Sequence, residues 1–455
     1  MDQYIVKLFS VAGFFLMAVS CMPDMTCPHY EYDGENITND DYEEPEDQGD
    51  DDALPDYGEE IKFWLSAEKN DIGTSVATDY SGNVFVSGVI MPAGVNGDSG
   101  QIFVTKFNND LDVLWTNILS ATENETSIAT IVDSRGFVYI AGITYGSIDG
   151  SFTNEGGSDL FLVRLNGNGT RIWVSQWGTK ENDRMSSIAI DSSDNIYVAG
   201  GTAGELDGNM NIGGFDIFVT KFDYNGTKEW TKQWGTDENE SAIAIATDSK
   251  NNVLIAGATD GELDHCEHAE IDPEHPYYAD AFLMKMDEEG VKLWTRQWGT
   301  ENDDYVVSIS LNPNDDICVL ENRTARMEWN VEDTFVSCFE SIGIIKYSEE
   351  LYLAPIIYGS SVVTDNDESI FVNGYLYGSG YSRIFLAKAD KNFRRRTVKI
   401  WESYSLQLGL GKNLDIDKHG NVFMTGSVRK DMGPDGYRSD AFLIKVNEGD
   451  LDPFF

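Results

Sequence analysis

Apolar and polar residues alternate along this chain with the two-residue period of half-buried strands, in short runs separated by polar turns. In the clearest stretch the runs read SIAID, NIYVAGG, DIFVTKFD and KEWTKQWG, and then the order begins again. Copies open with WVSQWGT at Trp173, WTKQWGT at Trp230 and WTRQWGT at Trp294, and weaker ones lie around Trp64, Trp115, Leu353 and Trp401. That makes seven units of four strands each. Between the first two strands of successive units stand DYSGN, DSRGF, DSSDN, DSKNN, NPNDD, TDNDE and DKHGN, rich in the Asp, Asn and Gly that tolerate the positive φ of tight hairpins. A second turn, as in FDYNGTKEW and LNGNGTRIW, joins the third strand to the fourth, so each unit predicts a four-stranded antiparallel sheet.

Spacing within the strands says which residues make the core. Trp173 and Trp177, Trp230 and Trp234, and Trp294 and Trp298 are four apart, which puts each pair on one face of a strand. The third strand places Phe three residues before a base: Phe103 and Lys106, Phe161 and Arg164, Phe218 and Lys221, Phe282 and Lys285, Phe385 and Lys388, Phe442 and Lys445. The fifth unit departs, with Gly343 before Lys346. A lone four-stranded sheet cannot bury both faces, whereas sheets stacked around an axis can. The Phe and Trp residues then form the core between blades. The last unit runs out of chain before a fourth strand, and residues 61–67 form an orphan strand at the start. The expectation is an all-β, seven-bladed propeller of four-stranded antiparallel blades, closed by an N-terminal outer strand in the last blade.

The repeat text, D-S-x-x-N-I/V-Y-V-A-G followed by D-x-F-V-x-K and W-x-x-Q-W-G-T, resembles the bacterial SBBP beta-propeller repeat across nearly all of residues 61–455. The resemblance implies a seven-bladed propeller on exported bacterial proteins. It implies no catalytic residues, because the family has no general activity to carry over.

The ends change the picture. Residues 1–20 hold one lysine and then an uncharged run too short to span a bilayer comfortably, which reads as a signal peptide. Ala18-Val19-Ser20-Cys21 resembles a lipoprotein lipobox, so Cys21 is the expected lipidation site and the first mature residue; an ordinary secretory signal is the alternative. Residues 31–60 contain fifteen Asp or Glu and no Lys or Arg, so 21–60 is expected to be an extended acidic tether beyond which the propeller occupies 61–455. The address that follows is the bacterial cell envelope, with a membrane partner through the N-terminal lipid. The formal charge of −46 over 455 residues excludes nucleic acid as a partner.

Chemistry is sparse. There is no G-x-S-x-G, H-E-x-x-H or P-loop, and no catalytic residue is assigned. Acidic blade-to-blade loops, Glu123-Asn124-Glu125, Glu181-Asn182-Asp183, Glu238-Asn239-Glu240 and Glu301-Asn302-Asp303, predict one negative rim that attracts cations or basic partners. Calcium is the candidate cofactor. Asp149 with Asp159, Asp207 with Asp216, and Asp264 with Asp280 could clamp it at two ends of a loop, although loop-closing hydrogen bonds are the preferred use. An insertion in the fourth unit gathers His265, Cys266, His268 and His275, a weak zinc or copper pattern with no second half-site. Cys318 and Cys338 lie in one blade, and an exported setting permits a disulfide between them. The functional expectation is a non-enzymatic binding or scaffolding module whose acidic loop face takes a protein, glycan or cation. The alternatives are a polysaccharide hydrolase or lyase and a calcium-stabilised structural module of the envelope. An enzyme would break the sevenfold pattern with His, Tyr or Arg, for which Arg383 and the Arg394-Arg395-Arg396 run in the sixth unit are the candidates.

Overall fold

The computed structural model describes residues 60–62, 65, 69–92, 100–119, 125–265, 279–300, 302–324, 332–353, 356–378, 381–394, 396–401, 406–408, 413–431, 437–447 and 451. They form seven antiparallel sheets arranged as a propeller. Six sheets follow the chain strand by strand. The third blade is typical: Asp183–Ile190 lies innermost, followed outward by Ile196–Thr202, Asp216–Phe222 and Lys228–Trp234.

The seventh blade is shared by both ends of the described chain. Leu406–Leu408 and Leu414–Ile416 lie on its inner side, followed by Val422–Asp431 and Tyr437–Val446, and its outer strand is Glu60–Lys62. Ile61 stands opposite Ile444, which closes the ring as the orphan strand predicts, although the strand is Glu60–Lys62 rather than 61–67; Trp64 lies outside the described residues. A polar clasp reinforces the seam: the backbone N–H and the hydroxyl of Thr78 donate to Asp415 Oδ2 at 2.8 and 2.9 Å.

The polar turns work as the composition demands. Asp191 Oδ1 accepts the N–H groups of Ser193 and Asn195 at 2.8 and 2.9 Å, and Asp194 takes a φ of 63°. The same cap recurs at Asp79, Asp133, Asp248, Asp365 and Asp417.

Blades pack through the predicted aromatics. One continuous cluster joins Tyr139, Leu160 and Trp177 of the second blade to Ile188, Phe218 and Phe222 of the third. Trp177 meets Phe222 at 4.9 Å between ring centroids, and Trp298 meets Phe339 of the next blade at 5.3 Å. In every blade but the fifth, the third-strand Phe that precedes the base lies opposite a second-strand glycine, as Phe218 does Gly200. A Cβ on Gly200 would stand 1.9 Å from the Arg184 carbonyl oxygen and 3.0 Å from the Phe218 ring, so the position has no room for a side chain.

In five blades the basic residue that follows the Phe is a staple to the next blade. Lys106 donates to the Gly167 carbonyl, Arg164 to that of Tyr224, Lys221 to Glu288, Lys285 to Ser341 and Lys445 to Asn109, each in a turn of the next blade. The fifth blade differs from the sequence reading. Lys346 lies on its outer strand, Ile345–Glu350, and the third strand is Glu332–Phe339, which carries Phe335 and then Cys338 in the place of the base. Cys338 stands directly opposite Cys318 on the second strand and is joined to it by a disulfide. The staple to the sixth blade is made instead by the Tyr347 hydroxyl, which donates to the Lys391 carbonyl at 3.0 Å.

Candidate functional site

Loops between second and third strands share a face with loops that lead from one blade to the next. Ser158 Oγ donates to the Asp183 carbonyl at 2.7 Å, and Asn239 Oδ1 accepts the Phe215 N–H at 3.2 Å. Glu155, Glu181, Glu205, Asp237, Glu238 and Glu262 are exposed on this face.

Beneath the rim, two carboxylates are buried at each of three successive blade junctions: Asp159 with Asp183, Asp216 with Glu240, and Asp280 with Asp304. Asp183 accepts the Thr179 N–H at 2.6 Å and the Thr202 hydroxyl at 2.6 Å, and Glu240 repeats this with Thr236 and Thr259. Burial raises the pKa of both, against the pull of these hydrogen bonds. Asp159, Asp216 and Asp280 each accept from a glutamine of the outer strand, Gln176, Gln233 or Gln297, at 2.9–3.0 Å. Each glutamine also accepts a loop N–H, from Ile148, Leu206 or Leu263, so the triad ties the loop to the strands.

The other members of the proposed calcium pairs turn to different partners. Asp149 accepts from Ser151 and pairs with Arg171. Asp207 and Asp264 occupy 3-10 turns at positive φ and bind Lys228 with Thr231 and Lys292 with Thr295. Cys266, His268 and His275 lie outside the described residues, as do Cys21, Glu123, Asn124 and Glu301. His265 ends the turn Leu263–His265. Among the described residues, no three His, Cys, Asp or Glu side chains are grouped as metal ligands.

The fifth blade breaks this repeating chemistry at two positions at once. Asp304 occupies the place of Asp183 and keeps its hydrogen bonds from Thr300, at 2.6 Å from N–H and 2.8 Å from the hydroxyl. Opposite it, where other blades have Thr202 or Thr259, stands Arg323. Where the Phe should meet glycine, Phe335 meets Glu321. Arg323 Nε lies 2.9 Å from Asp304 Oδ1 and 2.7 Å from Glu321 Oε1, and its guanidinium stacks 3.8 Å from the centre of the Phe335 ring. Trp298, from the preceding blade, donates its indole N–H to Glu321 Oε2 at 2.9 Å. Asp304 and Glu321 are both fully buried. Burial and the Glu321 charge push the Asp304 carboxyl up to about 7, against the opposing pull of Arg323. Two buried carboxylates and one guanidinium therefore form an ionic cluster that holds a proton near neutrality, a pattern found both in functional sites and in structural ion networks.

The sixth-blade arginines do not join this cluster as a group. Arg383 stands opposite Leu376 in the sheet, Arg394 is exposed in the turn after the third strand, and Arg395 lies outside the described residues. Arg396 reaches back to the Glu350 carbonyl of the fifth blade at 2.8 Å.

Residues 172–207 match the SBBP family, described as a beta-propeller repeat, and they span the end of the second blade and the first half of the third. The chain is a seven-bladed β-propeller that carries an SBBP-type repeat at residues 172–207. Over 186 residues this propeller is 26% identical to "Regulatory protein FlaEY" of Caulobacter vibrioides; the match covers 37% of the chain and spans 19% of that relative's length. Solved structures of similar shape include a polysaccharide lyase, the PL25 ulvan lyase (11% identity, 84% of this chain and 97% of that one, TM-score 0.49). Another is the propeller domain of the trilobed protease of Pyrococcus furiosus (9% identity, 85% and 98%, TM-score 0.46).

The SBBP repeat itself explains why the Asp304 cluster escapes a reading of motifs. Glu321 and Arg323 are two more charges in an acidic chain. They become conspicuous when aligned on the glycine and threonine of the sister blades, which is the one signal in the sequence that points to them.

Proposed function

We propose that this propeller is a non-enzymatic binding module, held at the bacterial cell envelope by a lipid on Cys21, whose acidic loop face takes a basic partner. The observation that carries the reading is the division of labour among the carboxylates. Those that build the blade junctions are buried and spent on loop and strand hydrogen bonds, while Glu155, Glu181, Glu205, Asp237, Glu238 and Glu262 remain exposed on one face. Like charges held on a rigid rim raise the local concentration of cationic ligands and speed their association, with a strong dependence on salt.

A fluorescent octalysine peptide titrated into the full chain tests this. Saturable binding is expected that weakens several-fold as salt rises, and again when Glu181 and Glu238 are changed to Lys. Charge reversal of Asp110 and Glu289 in the turns of the opposite face should change it far less. Equal loss from both pairs would leave only nonspecific attraction to an acidic protein and would overturn the reading. The anchor has its own test: wild-type cells fed labelled palmitate should label this chain and Cys21→Ser cells should not, and an unlabelled wild type refutes it.

The fifth blade favours one second reading, a polysaccharide hydrolase or lyase, because Asp304, Glu321 and Arg323 break the blade pattern with two carboxylates gathered on one arginine. Under that reading the wild type produces unsaturated or reducing ends from a polysaccharide and Glu321→Gln does not.

A further inference from the structure

The hairpin turns between the first and second strands ring the face opposite the acidic rim, and in three successive junctions one turn grips the next. Ser134 donates its N–H and hydroxyl to Asp194 Oδ1 and Oδ2, each at 3.0 Å. Ser249 does the same to Asp315 at 2.9 and 2.6 Å. Ser192 gives both donors to the amide oxygen of Asn251, at 3.2 and 2.7 Å, and Asn251 Nδ2 faces Ser193 Oγ at 3.5 Å. The donor is the second residue of one turn and the acceptor the fourth residue of the next.

Between the sixth and seventh blades the same positions hold Asn366 and Gly420. Glycine brings no acceptor, and the two turns instead border a cleft of about 390 Å³ whose lining includes Asn366, Asp367, Lys418, His419 and Gly420. The intact junctions therefore act as templates for what this cleft receives: a flat group that accepts two hydrogen bonds, on two oxygens at Asp194 and Asp315 and on one at Asn251. The third turn residue selects its charge. At the second blade it is Arg135, whose Nε lies 3.3 Å from the Asp194 carboxylate. At the third it is the neutral Ser193, which faces an amide. At the sixth it is Asp367, exposed and acidic, which opposes a carboxylate and accepts hydrogen bonds from an N–H.

We propose that the cleft between the sixth and seventh blades binds an uncharged carboxamide, supplied by an acetamido sugar or by a glutamine or asparagine side chain. Asn366 donates to its oxygen and Asp367 accepts from its nitrogen. The site lies on the face opposite the acidic rim, so its fate is independent of octalysine binding.

Saturation-transfer NMR on the full chain reads it with paired probes. N-acetylglucosamine is compared with glucose, and the peptide Gly-Gln-Gly with Gly-Glu-Gly. At least one amide probe should receive saturation roughly tenfold more strongly than its amide-free twin, because a hydrogen-bonding site rejects an analogue that leaves its groups unmatched. The sugar pair responding identifies a glycan source, and the peptide pair a protein source. Gly420→Asn copies Asn251, which adopts the same left-handed backbone (φ 64° against 81° at Gly420), and should abolish the signal by filling the slot from within. Asp367→Ala should abolish it without adding bulk. Silence from both amide probes, equal response from their twins, or binding that survives in both variants would overturn the proposal.

Discussion

Arg323→Ala is expected to lower the unfolding free energy by about 3–5 kcal/mol at pH 7, because it leaves Asp304 and Glu321 buried without their shared cation. Breaking one partner of a buried ion network costs far more than the intact network contributes. The double variant Glu321→Gly, Arg323→Thr recreates the pattern of Gly200 and Thr202 and should recover most of that loss. The pH dependence has a definite sign. The folded-state pKa of Asp304 is raised above its unfolded value, so between roughly pH 4 and 7 the folded chain binds more protons than the unfolded one and this group's contribution falls as pH rises. Removing Arg323 removes the pull toward ionisation and raises the folded-state pKa further, so Asp304 should widen the deficit of Arg323→Ala relative to wild type as pH rises above about 7. Urea unfolding of the three proteins from roughly pH 4 to 9 checks both signs. A single variant within about 1 kcal/mol of wild type at pH 7 would mean the cluster is not a buried ionic unit.

Phe218→Ala should cost about 3–5 kcal/mol, the range for emptying a fully buried aromatic position. The ring packs over Gly200 within a cluster drawn from the second and third blades, so the cavity opens at their junction rather than inside one sheet. Repeat architectures transmit stability chiefly between neighbours. Hydrogen exchange is therefore expected to accelerate most in the strands of those two blades, with the fifth and sixth much less affected. A loss under about 1 kcal/mol, or uniform acceleration around the ring, would contradict an inter-blade core built on these phenylalanines.

Particular residues show how far a linear reading reaches. The turn at Asp191 to Asn195 is legible because its cap and its positive-φ residue lie within five positions of each other. The Phe and base of the third strand are legible because strand periodicity fixes their faces, although the partner of each base, a carbonyl in the next blade, is not. At the fifth blade the pattern misleads: Lys346 resembles a displaced member of the series, and the strand pairing instead aligns Phe335 and Cys338 with it. The loop carboxylates Asp149, Asp207 and Asp264 stand where a calcium clamp would need them, yet the fold gives each a nearby hydroxyl or cation.

Alternation, turn chemistry and the recurrence of Trp and Phe in six of the seven units were enough to determine sheets, blades and ring closure, because each depends on neighbours a few residues apart or on repetition. Tertiary structure alone decided which side chains share a site. Arg323 meets Asp304 through strand register and Trp298 through blade stacking, and Asn366 faces Gly420 only because consecutive blades bring distant turns together. Such contacts are set by packing between elements, and packing leaves no period in the chain to be read.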